Sequence, residues 1–166
     1  MRALLTLTLT DAAGRPLAVR RARNAVMRPG ADLVARLFAG RGAPVTHLAV
    51  GTSDAPEGEA YDTAALDPAG LDGETSAPLP AEAFVISADP DRHAVRVRVR
   101  GTLPAAAAVG TVREAGLLSR AEDAAGDGSD DVLYNRVTFD PLDKAGDHEL
   151  TLFWEVAFPY GDLHYL

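Results

Sequence analysis

The run D-H-E-L-T-L-F-W-E-V-A-F at 147–158 constrains the fold of this chain more than any other segment. Leu150, Leu152, Trp154, Val156 and Phe158 fall on one side of it, and Glu149, Thr151, Phe153 and Glu155 on the other. Alternation with period two over this length belongs to a β-strand with one buried face. The pattern recurs at 3–10, where Leu5, Leu7 and Leu9 alternate with Thr6, Thr8 and Thr10. It recurs again at 94–102, where Val95, Val97 and Val99 alternate with Arg96, Arg98 and Arg100. A row of arginines cannot be core, so that side faces solvent or a partner.

The segments between these strands fill in one architecture. Gly14 and Pro16 turn the chain into a second strand at 17–23, which makes 3–23 a hairpin. One helix is expected within 24–40, at about residues 29–39, with Pro29 at its first position and Asp32 in its first turn. Leu33, Val34, Leu37 and Phe38 give it an apolar stripe, and Gly40 a left-handed cap. A short strand follows at 45–51, then a long loop at 52–80 rich in Gly, Pro, Asp and Ala. Residues 82–88 and 94–102 form a hairpin around D-P-D-R-H, and a strand at 110–118 runs into a turn at Gly116. An acidic loop at 120–131 leads to closing strands at 132–139 and 148–158. About eight strands and one short helix predict an antiparallel β-sandwich, a single domain over residues 1–166. Trp154, Leu152, Val156 and Phe139 are its expected core.

A chain of 166 residues buries roughly 70% of its unfolded surface, enough for a core of its own. It has no cysteine, which excludes disulfides, thiolate metal sites and a cysteine nucleophile. No apolar run reaches the length of a membrane span, and the threonine-interleaved N-terminus lacks the apolar core of a signal peptide. Synthesis in the cytoplasm is the expectation. The net charge of −8 is unevenly spread. Residues 1–50 carry eight arginines against Asp11 and Asp32; residues 51–92 carry ten acids against Arg92 alone. Such asymmetry fits contact between copies or with an oppositely charged partner, while fifteen arginines to one lysine also fit a plain compositional bias.

No catalytic, nucleotide-binding or metalloprotease motif is present, so neither an enzyme nor a cofactor is expected. His47, His93, His148 and His164 are too dispersed to point to a metal site. Asp123, Asp127, Asp130 and Asp131 lack the spacing and closing Glu of a calcium loop. Arg20, Arg21 and Arg23, with Arg96, Arg98 and Arg100, could meet phosphates, but no aromatic platform accompanies them. Cross-strand or intersubunit salt bridges account for the same residues and are preferred to nucleic acid. These six arginines and Phe153 are the interface candidates, together with the 52–80 loop. Phe153 marks either a partner surface or a second buried layer.

Five segments occur in a telling order. They are R-N-A-V-M-R-P-G-A-D-L-V-A-R-L-F-A-G at 23–40, T-H-L-A-V-G-T at 46–52, T-V-R-E-A-G-L-L at 111–118, N-R-V-T-F at 135–139 and L-T-L-F-W-E-V-A-F at 150–158. Together, over residues 23–158, they resemble small β-rich structural proteins of bacteriophage tails and phage-tail-like particles, contractile injection systems included. The acidic insertion at 120–131 and the N-terminal hairpin depart from that pattern. The resemblance implies a virion or particle component of tail fibre, baseplate or adaptor type. It would be assembled in the bacterial cytoplasm, pack as a homo-oligomer with other tail or baseplate proteins, and carry no catalytic residues. The alternative is a carbohydrate- or receptor-binding module at a fibre tip, which would use exposed aromatics; Tyr61, Tyr134, Tyr160 and Tyr165 are the candidates.

Overall fold

The computed structural model describes residues 2–56, 61–120 and 131–161. It is a β-sandwich of two antiparallel five-stranded sheets with one helix. The first sheet holds β1 (Arg2–Thr10), β2 (Pro16–Arg23), β6 (Phe84–Asp89), β7 (Ala94–Leu103) and β10 (Glu149–Pro159), in the order β2-β1-β10-β7-β6. The second holds β3 (Ala25–Val26), β4 (His47–Gly51), β5 (Ser76–Pro78), β8 (Gly110–Ser119) and β9 (Val132–Lys144), in the order β3-β9-β8-β4-β5.

The alternating strands build the first sheet. Leu5 pairs with Trp154, and Trp154 with Val99; Leu7 pairs with Leu152, and Leu9 with Leu150. These side chains point inward and are almost fully buried, Trp154 completely. From the second sheet Leu48, Val50, Val112, Ala115, Leu117 and Val137 meet them in one continuous core. Gly101 permits the close approach of the layers, because a Cβ there would collide with Leu48 and Leu79. Phe139, expected in the core, is half-buried against its margin.

The structure departs from the sequence reading in several places. The described residues hold ten strands rather than about eight, because β3 and β5 are only two and three residues long, too short to show a period. The 52–80 loop is not structureless throughout. Ser76–Pro78 adds an edge strand to β4, and Asp72 bridges to Val109. Gly116 makes no turn; it lies inside β8, where a Cβ would come within 2.5 Å of the Asn135 carbonyl oxygen. β9 continues past Phe139 to Lys144.

Helix α1 spans Arg28–Phe38, so Pro29 is its second residue. Asp32 lies beyond the first turn and pairs with Arg36 at 2.6 Å. Leu33 carries the packing of the helix, whereas Phe38, placed on the apolar stripe by its spacing, is 96% exposed. Gly40 does take the left-handed conformation, with φ of 71°. Of the acidic loop, residues 121–130 lie outside the described residues; at its ends Arg120 pairs with Asp131 at 2.7 Å.

Lys144 is 98% buried and makes no salt bridge among the described residues. Its Nζ donates to the carbonyls of Pro104 at 2.9 Å and Ala105 at 2.8 Å, which pins the β7–β8 connection. Burial pulls its pKa below the usual lysine value.

Leu152 sits fully buried beside the single tryptophan. Leu152→Ala is expected to remove about 2–5 kcal/mol of stability in a urea titration followed by Trp154 fluorescence. A loss under about 1 kcal/mol would contradict closed packing at this layer.

Candidate functional site

Alternation leaves the even residues of β1 and β7 and the odd residues of β2 and β10 on the outer face of the first sheet. Register then sets them in rows. Arg21, Thr6, Phe153 and Arg100 form one row; Arg23, Leu4, Glu155, Arg98 and Val85 form the next. Phe153 is 37% exposed on this face, so it belongs to the surface and not to a second buried layer.

The six arginines predicted as interface residues divide into three groups. Arg96 is held by Glu155 at 2.8 Å and Asp89 at 2.5 Å, and Arg98 by Glu155 at 3.1 Å. These are the cross-strand salt bridges that the alternation pattern anticipated. Arg20 leaves the row, since it alternates to the inner side with Ala18 and Ala22 and donates to the Pro141 carbonyl at 3.3 Å. Arg21, Arg23 and Arg100 are exposed and have no ion-pair partner among the described residues. Leu4, Leu17, Val19, Val85 and Phe153 share the face with them, half of the exposed large apolar side chains among the described residues. Concentration of apolar surface on one pleated face, interleaved with arginine, is the composition of a contact surface.

The outer face of the second sheet is covered instead. Glu114 on β8 and Arg136 on β9 point outward there, yet they are 1% and 2% exposed. Arg136 Nε donates to Glu114 Oε2 at 2.6 Å, Nη1 to the Ala55 carbonyl at 2.8 Å and Nη2 to Ser53 Oγ at 3.1 Å. Glu114 Oε1 accepts the Asp67 N–H at 2.7 Å. Thr52 Oγ1 donates to the Ala69 carbonyl at 3.0 Å, and the Thr52 N–H to the Asp67 carbonyl at 2.8 Å. Gly51 makes room for this network, because a Cβ would strike Glu114 Oε1 and the Asp67 backbone. Beside it Met27, Ala49, Leu118 and Leu133 form a second small core with Leu66 packed on it. Sequence reasoning missed this pair, because β8 and β9 carry other charges too (Arg113, Asp140, Asp143 and Lys144) and nothing in the chain singles out Glu114 and Arg136. With both ions buried and hydrogen-bonded, the arrangement fixes a segment in place and presents no group for chemistry.

Other cavities and polar groups offer little reactivity. A cavity of about 160 Å³ lies between α1 and the sheets, with Leu33, Leu37, Phe84, Val99, Val156 and Phe158 among its walls. Its lining is almost wholly apolar, so it could admit only an apolar group. The described residues hold no cluster of three or more His, Asp or Glu suited to a metal ion. His93 meets the Tyr160 ring at 5.8 Å, and His148 Nδ1 accepts the Ala145 N–H at 3.2 Å in the β9–β10 turn. His164 and Tyr165 lie outside the described residues, as do Asp123, Asp127 and Asp130. Of the remaining tyrosines, Tyr61 and Tyr160 are exposed while Tyr134 is buried. Among the described residues no helix is long and apolar enough to cross a membrane.

Half-buried His47 lies 2.9 Å from Thr46 Oγ1 through its Nδ1. Burial, and then the Arg120 charge, lower its pKa from 6.5, against a smaller opposing pull from Asp131. On acidification the unfolded chain therefore binds this proton first. The contribution of His47 to stability is full above pH 6.5 and is lost as pH falls from there through the lower folded value. The urea midpoint is expected to drop between about pH 7 and pH 5, with part of that drop absent in His47→Gln. An unchanged profile in the variant would remove His47 from the account.

Arg136→Met leaves Glu114 charged and buried, and is expected to cost about 3–5 kcal/mol. Limited proteolysis should then cut within 52–67 before the rest of the chain. Glu114→Leu with Arg136→Met should cost less than the single change, because no buried ion is left unpaired. A double variant less stable than the single would refute this account of the pair.

Comparison with protein families, curated proteins and solved structures finds no match to this chain.

Proposed function

We propose that this chain is a structural subunit of a phage tail or phage-tail-like particle, a fibre, baseplate or adaptor component that works by packing against copies of itself and neighbouring proteins. The observation that carries the reading is the outer face of the first sheet, where Phe153, Leu4, Val19 and Val85 lie among arginines with unused charge. A rigid pleated layer keeps these side chains in register, so docking them loses little conformational freedom.

The segments behind the family resemblance support a scaffold role. T-H-L-A-V-G-T, T-V-R-E-A-G-L-L and N-R-V-T-F supply β4, β8 and β9, which are neighbours in one sheet. Their charged residues Glu114 and Arg136 are spent on each other and on the 52–67 segment, and their glycines on close backbone approach. Their chemistry is that of construction. A glycan- or receptor-binding module has less support, since Tyr61 and Tyr160 alone of its four aromatic candidates are exposed among the described residues.

The test is to purify tail or tail-like particles from the source cell, identify their proteins by mass spectrometry, and measure the isolated chain by light scattering. Recovery in the particles and a mass that is a multiple of 17.4 kDa are expected. Absence from particles together with a monomer at high concentration would overturn the reading.

A further inference from the structure

The molecule carries unsatisfied charge of opposite sign on two sides. On the outer face of the first sheet Arg21, Arg23 and Arg100 surround Phe153 with no acid paired to them. On the side of the second sheet the segment 67–74 leaves the Glu114 network, passes the start of β8 and enters edge strand β5. Along it Asp67, Asp72 and Glu74 are exposed and make no salt bridge among the described residues, although Glu74 lies within electrostatic reach of Arg120. The other exposed acids nearby are engaged, Asp62 by Arg28 and Asp54 by Arg113.

Two such patches on different sheets of one rigid sandwich cannot meet within a chain. They can meet between chains. We propose that this protein assembles head to tail, with the Asp67–Glu74 segment of one copy seated on the Arg21, Arg23 and Arg100 face of the next. The proposal rests on the packing role set out above and names the surfaces that perform it. A chain of net charge −8 repels its own copies on average, so a stable self-contact must bring unlike patches together. Phe153 and the neighbouring aliphatic side chains then lose water at the centre, while the arginines and carboxylates set register at the rim. Because the two patches differ, the contact is heterologous, and repetition of it gives a ring or an open stack rather than a closed two-fold dimer.

The experiment measures assembly mass by light scattering at about 0.05 M and about 0.5 M salt. The wild type is expected to associate at low salt and dissociate at high salt. Arg21→Glu with Arg100→Glu gives two acidic sides; Asp72→Lys with Glu74→Lys gives two basic sides. Each double variant alone is expected to weaken self-association by about tenfold or more, and mixing the two should restore it. Thermal melts by circular dichroism check that both variants fold. Assembly indifferent to salt and to both reversals would overturn the head-to-tail contact and leave the packing role standing. So would folded variants that fail to recover on mixing. A wild type that never associates would also overturn the head-to-tail contact, and would overturn the packing role as well if the chain is absent from purified particles; its retention on a polyanion column would turn the arginine face over to a polyanionic partner instead.

Discussion

The buried pair of Glu114 and Arg136 is the interaction on which the arrangement of this molecule depends. Two ions removed from water gain little net stability from each other, because desolvation offsets most of their attraction. Their effect is positional. Each has further hydrogen-bonding capacity that must be met, and it is met by the backbone of residues 55 and 67 and by Ser53. A long polar excursion is thereby fastened over the second sheet, and its apolar residue Leu66 comes to rest on Met27, Ala49, Leu118 and Leu133. One sheet is closed off as a result, and the other is left as the broad exposed face.

This division also explains what could be read from the sequence. β1, β7 and β10 each have one wet side, so their period of two was plain, and so was the salt-bridged Arg96 and Arg98 row. β8 and β9 are buried on both sides over much of their length, and their alternation is blurred. A glycine there looked like a turn, although it serves the close passage of Asn135. The covering segment could not be inferred, because its anchors are 22 residues apart in the chain and each looks ordinary alone. The helix was legible in place but not in orientation. Its stripe was counted through to Phe38, yet the helix ends at that residue and Phe38 projects into solvent beyond the core.

The two faces thus divide the labour. The covered outer face spends Glu114 and Arg136 on each other and on the segment above them, while the open face keeps three arginines and an aromatic in a lattice fixed by register. Strand pairing, not loop conformation, sets the spacing of those groups, so the pattern is as stiff as the sandwich itself.

Lys144 has a consequence of a different kind. It is the single lysine of the chain, and its ammonium is enclosed beneath two carbonyls. The native surface therefore offers no side-chain amine to acylating or crosslinking reagents, however rich in positive charge it is. Modification at residue 144 requires the β7–β8 connection to detach, so the rate of acylation there reads out the population of opened molecules directly.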